Sequence, residues 1–297
     1  MEDEIYAFAT IETINEENRK NMKNKIGVDL GGTNMRVGVV ADGRIIEKEI
    51  IPCPAQADKM IVVNTLADLI AKYITPETEG VGVGVPTLVD SRTGTVYRAT
   101  NIPSWDEVPL RDLLTERLGI KVEINNDANC FALGEKQFGA GRDLDSMVGI
   151  TLGTGTGSGL IIGGKLYCGR NTGAGEIGEM PYRDHNFEYY CSSPFFVREY
   201  GCTGAEAAEA ARASDPRAQA IWDHFGRNAG CMLKALLNAY DPDGFVFGGG
   251  ISSAFDLFEH AMREELSTFW YAPALEGLVI ARSELDDVAI LGASALV

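Results

Sequence analysis

Short apolar runs alternate with polar turns in the first half of the chain, and they predict a β-hairpin followed by helix–strand alternation. Lys25–Asp29 and Met35–Val40 have the apolar composition of neighbouring strands, and Asp42-Gly43 forms a tight turn into a third strand, Arg44–Ile50. Apolar residues at helical spacing predict a helix over Asp58–Ile74. The other elements predicted here are the strand Gly80–Val85, the helix from Pro109 to Leu118, the strand Lys121–Asn125 and the helix Ala128–Phe138.

A second series with the same beginning starts at Met147. The predicted strand Met147–Leu152 leads into a Gly/Thr loop, and the strand Ser158–Ile162 then turns at Gly163-Gly164 into Lys165–Cys168. The later pattern predicts helices at Ala205–Arg212, Arg217–Tyr240, Ala254–Phe269 and near Val288–Val297, and strands at Gly244–Phe247 and Leu278–Ala281.

The two series are copies of one strand–loop–strand unit. With an offset of 122 residues Ile26 aligns with Val148, Leu30 with Leu152 and Gly31 with Gly153. Helix–strand alternation after each copy predicts mixed sheets flanked by helices, which is an α/β fold with two related halves. We expect the two loops to face one ligand across a cleft.

The residues of both loops suit phosphate. Glycine permits close approach of the backbone, successive N–H groups bind anions, and threonine and asparagine add neutral donors. A single such loop is equally consistent with a plain hairpin turn, but two loops in register across a repeat favour phosphate. Asp29, just before the first loop, either meets Mg²⁺ or a water of the metal, or caps its own turn.

A third glycine cluster, Gly248–Gly250, ends a buried strand and precedes a helix. This position suits the sugar or base of a nucleotide in an open α/β sheet, although such strand-to-helix turns are common. Other nucleotide signatures are missing: there is no Gly-x-x-x-x-Gly-Lys-Ser/Thr, and the Gly-x-Gly-x-x-Gly match at Gly173–Gly178 lacks a βαβ setting.

Acidic and amide side chains supply candidates for catalysis and substrate binding. Asp127 stands where a strand gives way to a helix, so it is either a helix N-cap or the carboxylate that deprotonates an attacking hydroxyl. The amide of Asn126 suits a polyol. Glu176 and Glu179 are able to accept paired hydroxyl hydrogen bonds from a sugar, and the alternative is a solvated acidic turn.

Four ordered motifs together resemble the ROK family of sugar kinases and sugar-responsive repressors. They are Asp29-Leu-Gly-Gly-Thr33, Asn126-Asp-Ala-Asn129, Thr151-Leu-Gly-Thr-Gly-Thr-Gly-Ser-Gly159 and Gly173-Ala-Gly-Glu-Ile-Gly178, within a likeness that covers about residues 26–297. The resemblance implies the two-domain actin/hexokinase-type (ribonuclease H-like) ATPase fold with duplicated mixed sheets.

The resemblance also implies a role for individual residues. Asp127 is the expected base on the primary hydroxyl of the sugar. The expected sugar contacts are Asn101, Asn126, Glu176, Glu179 and Glu188. The expected ATP-binding residues are Asp29, Gly31, Gly32, Thr33 and Asn34 in the first loop, Gly153, Thr154, Gly155 and Thr156 in the second, and Gly248, Gly249 and Gly250 at the adenosine.

The sequence departs from the family pattern at three places. Glu179 stands where the family usually has a histidine that serves both sugar and zinc, and the cysteine-rich zinc segment that normally follows is missing. We therefore expect no structural zinc. Thr87 replaces a common glycine, which predicts a narrower pocket wall.

Composition and charge limit the classes of function. The 43 acidic and 26 basic residues give a net charge of −17, which repels nucleic acid. No apolar stretch is long enough to span a membrane, the N-terminus is too charged for a secretory signal, and six scattered cysteines suit reduced thiols in the cytoplasm. The 25 residues before Ile26 are too few for the DNA-binding domain of a repressor.

We expect a polar leader at residues 1–24, an N-terminal α/β domain at 25–127 and a larger C-terminal one at 128–285, with a helix at about 286–297 that packs back on the first. The expected reaction is ATP-dependent phosphorylation of a hexose, glucose to glucose 6-phosphate, with Mg²⁺ accompanying ATP. Fructose, mannose, an N-acetylated amino sugar, polyphosphate as donor and a non-catalytic sugar sensor remain alternatives. A homodimer is implied by the resemblance.

Overall fold

The chain folds into two α/β units, each built on a five-stranded sheet, in a computed structural model that describes residues 22–99 and 101–297. The first unit comprises the described residues up to Asn125 together with Ala293–Val297, and the second comprises Asn126–Gly292. Residues 1–21 of the predicted leader lie outside the described residues.

The first unit has a sheet with the strand order β3-β2-β1-β4-β8. β1 is antiparallel to β2 and parallel to β4, so the opening hairpin is joined to a crossover strand. Its elements are β1 (Asn24–Leu30), β2 (Asn34–Ala41), β3 (Arg44–Pro52), α1 (Lys59–Ala71), β4 (Thr78–Val85), β5 (Val89–Asp90), β6 (Thr95–Tyr97), β7 (Glu107–Val108), α2 (Leu110–Leu118) and β8 (Val122–Asn126).

The core of the first unit lies between this sheet and its helices. Ile26 and Val28 of β1, Leu66 of α1 and Val83 of β4 are each inaccessible to solvent. The last residues of the chain also belong to this unit, and they pack so closely that a Cβ at Gly82 would lie 1.8 Å from the carbonyl oxygen of Ala293. A side chain at Gly82 would therefore displace the C-terminal segment.

The second unit has a sheet with the strand order β11-β10-β9-β14-β15. Its elements to residue 200 are α3 (Asp127–Phe138), β9 (Met147–Leu152), β10 (Thr156–Ile162), β11 (Lys165–Leu166), a 3₁₀ turn (Ile177–Glu179), β12 (Pro181–Tyr182), β13 (His185–Asn186), α4 (Phe187–Cys191) and α5 (Ser193–Tyr200). The remainder are α6 (Gly204–Arg212), α7 (Pro216–Tyr240), β14 (Gly244–Gly248), a 3₁₀ turn (Gly250–Ala254), α8 (Phe255–Leu266), a 3₁₀ turn (Ala272–Leu275), β15 (Val279–Arg282) and α9 (Val288–Ser294).

Aromatic side chains dominate the core of the second unit. Phe196 of α5 stacks on Phe225 of α7 with ring centroids 5.2 Å apart, and Trp222 stacks on Phe258 of α8 at 6.1 Å. All four residues are at most 1% exposed. Such large rings bury much apolar area and fix the packing of the three helices.

The internal repeat predicted from the sequence is confirmed by the two sheets. In each unit an antiparallel hairpin begins the sheet and its first strand pairs in parallel with a later one, β4 beside β1 and β14 beside β9. The first hairpin pairs Leu30 with Met35 and the second pairs Leu152 with Thr156. The second loop is therefore one residue shorter, which explains why the two copies fall out of phase at their following turns.

The periodic segments predicted from the sequence are confirmed, with boundaries that differ by a few residues. The pattern did not reveal the small sheet β5-β6-β7, the hairpin β12-β13, or the helices α4 and α5. The helix expected to run to Phe269 ends at Leu266. Across the described ranges, every helix is too short or too polar to cross a lipid bilayer.

Candidate active site

The first predicted phosphate loop is closed by its own backbone. The N–H of Gly31 donates to the carbonyl oxygen of Asn34 at 2.9 Å. Asp29 lies opposite Arg36 in the register of β1 and β2, with 3.5 Å between Oδ2 and Nη1. The Asp29 carboxylate therefore contacts a guanidinium group on the neighbouring strand, so a cap of its own turn is not its sole possible role.

Asn101, a predicted sugar contact, lies against this first loop. A Cβ at Gly32 would approach the Cβ of Asn101 to 2.5 Å and its carbonyl oxygen to 2.9 Å, so only glycine fits there without displacement. Thr87 supports the segment that leads to Asn101, because its hydroxyl donates to the carbonyl oxygen of Tyr97 at 2.7 Å. Thr87, which departs from the family pattern, thus stabilises the segment next to the predicted sugar contact.

The second predicted phosphate loop is closed in the same way, since the N–H of Gly153 donates to the carbonyl oxygen of Gly155 at 2.9 Å. Thr154 is exposed, whereas Thr156 is buried. The Thr156 hydroxyl donates to the carbonyl oxygen of Cys191 at 2.9 Å, and its N–H donates to Glu188 Oε2 at 2.9 Å. Thr156 therefore ties the loop to helix α4, and both of these donors have acceptors within the protein.

Asp127 is the first residue of helix α3, and its neighbour Asn126 is the N-cap. The Oδ1 atom of Asn126 accepts from the N–H groups of Ala128 at 2.8 Å and Asn129 at 3.3 Å. The capping role that the sequence allowed for Asp127 is therefore filled by Asn126. Asp127 Oδ1 accepts from the N–H of Ala128 at 2.8 Å, at a helix terminus that favours negative charge.

Glu176, Glu179 and Glu188 form a cluster of carboxylates in the second unit. Gly178, between the first two, is packed against the third: a Cβ at Gly178 would lie 3.3 Å from the Cβ of Glu188. Glu179 Oε2 accepts from Asn186 Nδ2 at 3.0 Å, and Glu188 is held by the N–H of Thr156. The three predicted sugar-binding acids are thus gathered beside the second loop.

The cluster changes the acidity of one of its members. Loss of hydration raises the pKa of the Glu176 carboxyl from its ordinary value, and the negative charges of Glu179 and Glu188 raise it further. Glu176 is exposed as a residue, although nearby protein atoms remove part of the water around its carboxyl group. A sugar hydroxyl that donates to this group would replace some of that lost hydration.

A cavity of about 740 Å³ lies within the second unit and includes Thr154 of the second loop and Gly250 of the third glycine cluster. Gly249 has a positive φ of 81° and lies so close to the end of β9 that a Cβ would be 2.4 Å from the carbonyl oxygen of Leu152. The size of the cavity and its mainly apolar lining, with a few hydroxyl groups, suit a nucleoside. Its other lining residues are Ser193, Pro194, Val197, Arg198, Thr203, Gly204, Ala205, Ala208, Trp222, Ile251, Ser253 and Ala254.

Sequence reasoning missed the four lining residues of helix α5, because this helix was not predicted. They are Ser193, Pro194, Val197 and Arg198. A signal for the helix existed: Ser192 precedes a proline in the first turn, and Gly201 ends the helix with a left-handed φ of 69°. Helix α6 was predicted as a helix, but the sequence did not indicate that it lines the cavity. Thr203 caps α6 and also lines the cavity.

Asp29 lies beside a predicted phosphate loop, and one carboxylate in such a position matches the way Mg²⁺ is usually held by a protein and the phosphates of its nucleotide. Within the ranges that the structure describes, no group of three or more His, Cys, Asp or Glu side chains is arranged to hold a metal ion. A Mg²⁺ ion beside Asp29 would therefore receive most of its ligands from the nucleotide.

The fold and the site define the class of protein: a two-unit α/β protein of the actin/hexokinase type, with repeated loops and a cavity of nucleoside size. The model of the ROK family matches residues 25–297, and the chain belongs to this family. The resemblance and the fold class predicted from the sequence are thereby confirmed.

Individual relatives agree with the family. The chain is 33% identical to the glucokinase of Thermotoga maritima, over 92% of this chain and 96% of the relative, and 30% identical to the N-acetyl-D-glucosamine kinase of Vibrio vulnificus, over 91% and 98%. Among solved structures, a ROK family glucokinase from Streptomyces griseus in complex with glucose and AMPPNP is similar at a TM-score of 0.77 and 31% identity, over 92% of this chain and 98% of the other. These comparisons confirm the predicted class of enzyme, a sugar kinase.

Proposed function

We propose that this protein transfers the γ-phosphoryl group of ATP to the primary hydroxyl of a hexose, with glucose as its substrate and glucose 6-phosphate as its product. Its similarity to two kinds of sugar kinase supports phosphorylation of a hexose, and the glucokinase relatives favour glucose. The ATP analogue in the Streptomyces griseus structure supports ATP as the donor.

The observation that carries the proposal is the double role of the second loop. Thr154 of this loop lines the nucleoside-sized cavity, while Thr156, two residues later, is hydrogen-bonded to Glu188 of the carboxylate cluster. A phosphoryl donor held along the loop would therefore lie between a base-binding cavity and acids suited to sugar hydroxyls. Phosphoryl transfer requires this kind of adjacency, because positioning supplies much of the catalysis.

Each group of residues has a role in the proposed reaction. Asp127 accepts the proton of the attacking hydroxyl, and its place at a helix N-terminus favours the ionised form that a base requires. The sugar contacts are Asn101, Asn126, Glu176, Glu179 and Glu188. The nucleotide contacts are Asp29, Gly31, Gly32, Thr33, Asn34, Gly153, Thr154, Gly155, Gly248, Gly249 and Gly250, with Thr156 holding the second loop in place.

Asp29 is the residue we propose beside the Mg²⁺ that accompanies ATP. The ion, when bound, neutralises charge on the phosphoryl oxygens. Asn126 contributes through its Nδ2 group, since its Oδ1 atom accepts the N–H bonds that cap α3. The proposal also includes action in the cytoplasm and a homodimer, both by analogy with the family.

The test of the proposal is the Asp127→Asn variant, which keeps an acceptor for the N–H of Ala128 but removes the base. We expect kcat for ADP release with glucose to fall by about 10²–10⁴-fold, the usual size of a general-base contribution, while glucose binding measured by calorimetry persists. Asp143→Asn, at an exposed carboxylate after α3, is the matched control and should retain full activity. A variant at position 127 that turns over at the native rate contradicts the assignment.

Two alternatives have their own outcomes in the same assay. A panel of mannose, fructose and N-acetylglucosamine compares substrates, and a higher kcat/KM for one of them would replace glucose in the proposal. A non-catalytic sensor would bind sugar without releasing ADP. Polyphosphate tested in place of ATP distinguishes the two donors.

A further inference from the structure

We propose that Asn186 is a positioning residue of the sugar site, whose single amide group holds Glu179 and also sets the start of the helix that carries Glu188. This inference rests on the proposed function, because it assigns a role toward the sugar-binding carboxylates. Asn186 was not a candidate from the sequence, and it follows from two hydrogen bonds that meet at one side chain.

The two ends of the Asn186 amide have different partners. The Oδ1 atom accepts from the N–H of Tyr189 at 2.9 Å, which makes Asn186 the N-cap of α4. The Nδ2 group donates to Glu179 Oε2 at 3.0 Å. An amide is suited to this position because one end must accept and the other must donate.

Asn186 is placed for this role by a short hairpin. Pro181 pairs with Asn186 across β12 and β13, and the N–H of Phe187 donates to the carbonyl oxygen of Met180 at 3.1 Å. The residue is half-buried, and it lies seven positions after Glu179 and two before Glu188. The hairpin therefore returns the chain so that one amide reaches the first acid while it begins the helix of the second.

The contacts continue from Asn186 to the second loop. Helix α4 carries Glu188, whose Oε2 accepts from the N–H of Thr156. On the other side, the N–H of Glu179 donates to the carbonyl oxygen of Glu176 at 3.2 Å within the 3₁₀ turn. All three carboxylates are thus linked through short local contacts, and Asn186 is the residue that touches the segments on both sides.

Substitutions at Asn186 separate the two contacts. Asn186→Ser keeps a cap acceptor and loses the donor to Glu179, whereas Asn186→Ala loses both. Asn186→Asp keeps the cap and places a second carboxylate against Glu179, so repulsion should displace that side chain. Adding Glu179→Gln to Asn186→Asp restores a hydrogen bond with its polarity reversed, because the new amide at 179 is able to donate to the introduced carboxylate.

The experiment measures binding of glucose, mannose, fructose and N-acetylglucosamine, and separately of a non-hydrolysable ATP analogue, by calorimetry on the full chain. For the sugar that the wild type binds most tightly, we expect Asn186→Asp to weaken binding about tenfold or more, as the loss of a charged hydrogen bond predicts. Compared with Glu179→Gln alone, the double variant should lose less sugar affinity than Asn186→Asp loses compared with the wild type, because the repulsion is absent when residue 179 is an amide. Affinity for the ATP analogue should stay within about twofold in each, because aspartate at 186 keeps the cap of α4 and with it the contact of Glu188 with the second loop.

Asn238→Asp is the matched control. Its Oδ1 accepts from Trp270 Nε1 at 2.9 Å and its Nδ2 donates to the carbonyl oxygen of Lys234 at 3.0 Å, so the same chemical change is made on α7, outside the carboxylate cluster. We expect this control to bind sugar as the wild type does. A thermal melt of each variant shows whether it is folded.

The outcomes are distinct for the two proposals. Native sugar affinity in a folded Asn186→Asp variant, equal losses for sugar and ATP analogue, or an Asn186→Asp effect of the same size with glutamate and with glutamine at position 179 overturns the role of Asn186. A wild type that binds sugar but releases no ADP overturns the proposed kinase function and leaves the binding comparison decisive for Asn186. A wild type that binds none of the four sugars overturns both.

Discussion

At the scale of single residues, the site shows how a carboxylate depends on its surroundings. Asp127, Glu176 and Glu188 are all acids, but the first lies at a helix terminus, the second among like charges and the third on a backbone N–H. The setting of Asp127 favours a role as a base. That of Glu176 favours an acceptor whose charge changes with pH, and that of Glu188 favours an acceptor in a fixed position. The residue scale therefore predicts distinct effects of pH and substitution.

Glu176 should make sugar binding depend on pH. Its raised pKa means that, as the pH falls, it takes up a proton at a higher pH than an ordinary glutamate does, and a protonated carboxyl accepts fewer hydrogen bonds. We expect KM for sugar to rise as pH falls through this raised pKa, and we expect a Glu176→Gln variant to have a higher but flatter KM.

Stability should change in the opposite direction, which provides a control. Because the folded-state pKa is raised, the ionised carboxyl disfavours folding at high pH, and this disadvantage disappears as pH falls through the folded pKa. Glu176→Gln should therefore melt at a higher temperature than the wild type at pH 8 and lose that advantage in acid. A pH-independent ratio of KM values between variant and wild type would contradict the account.

Thr87 should affect the sugar more than the nucleotide. Thr87→Val removes the hydroxyl that donates to Tyr97, and the loss of one neutral hydrogen bond predicts a KM for sugar raised roughly three- to tenfold. Thr87→Ser keeps the hydroxyl and serves as the control. Steady-state kinetics that show equal KM values for the two variants, or an equal rise in KM for ATP, would mean that Thr87 does not support Asn101.

At the scale of elements, short segments position most of the second-unit site. Helix α6 begins with a reciprocal capping box in which Thr203 Oγ1 accepts from the N–H of Glu206 at 3.2 Å and Glu206 Oε2 accepts from the N–H of Thr203 at 2.7 Å. The same helix supplies Gly204, Ala205 and Ala208 to the wall of the cavity. Its N-terminus is therefore both a folding signal and part of the site.

Removing this cap should weaken both properties. Thr203→Ala should lower the free energy of unfolding by about 1 kcal/mol, a typical cost for a lost N-cap, and raise KM for ATP with little change in KM for sugar. Thr203→Ser retains the acceptor and should resemble the wild type. Denaturant unfolding with parallel kinetics tests this, and a destabilised variant with native KM for ATP would remove α6 from the nucleotide site.

The sequence predicts long periodic elements well because their apolar spacing persists over many residues. Helix α7 was expected at Arg217–Tyr240 and is found at Pro216–Tyr240, and β9 was expected with its observed bounds. The five residues of α4 and the two of β12 are too short for a period to be recognised. Their formation depends on tertiary contacts, such as those of Phe187 and Tyr190 with Tyr182.

The same distinction applies to the candidate site. Loops and acids with distinctive composition, such as Gly31–Asn34 and Asp127, could be predicted from local pattern alone. Asn186 was not, since nothing in its neighbourhood indicates that its amide reaches a residue in another segment. The contacts of Thr156 were likewise not visible in the pattern: the sequence predicts a phosphate contact, and in the structure its hydroxyl and its N–H both donate within the protein.

At the scale of the whole molecule, two units repeat one sheet topology and each has its own core. The core of the second unit includes Phe187, Tyr190 and Cys191, which belong to α4, after the 3₁₀ turn Ile177–Glu179. Burial of these side chains accounts for the placement of α4. Burial also raises the pKa of the Cys191 thiol.

This packing predicts that a chelator leaves the fold intact. Dialysis against a zinc-binding chelator should not change the melting temperature, and sugar kinase activity should return in full when Mg²⁺ alone is added back. The melting temperature is measured by calorimetry and the metal content by mass spectrometry. A fall in melting temperature that only Zn²⁺ reverses would contradict this expectation, because it would reveal a structural zinc.

The most direct measurement of the central claim is the chemical identity of the product. After incubation of the protein with ATP, Mg²⁺ and glucose, phosphorus NMR should show ADP and one phosphomonoester coupled to the methylene protons of the primary carbon, with no such signal from the Asp127→Asn variant. ADP formed at the same rate without sugar, or inorganic phosphate as the sole partner of ADP, would contradict phosphoryl transfer to a hexose.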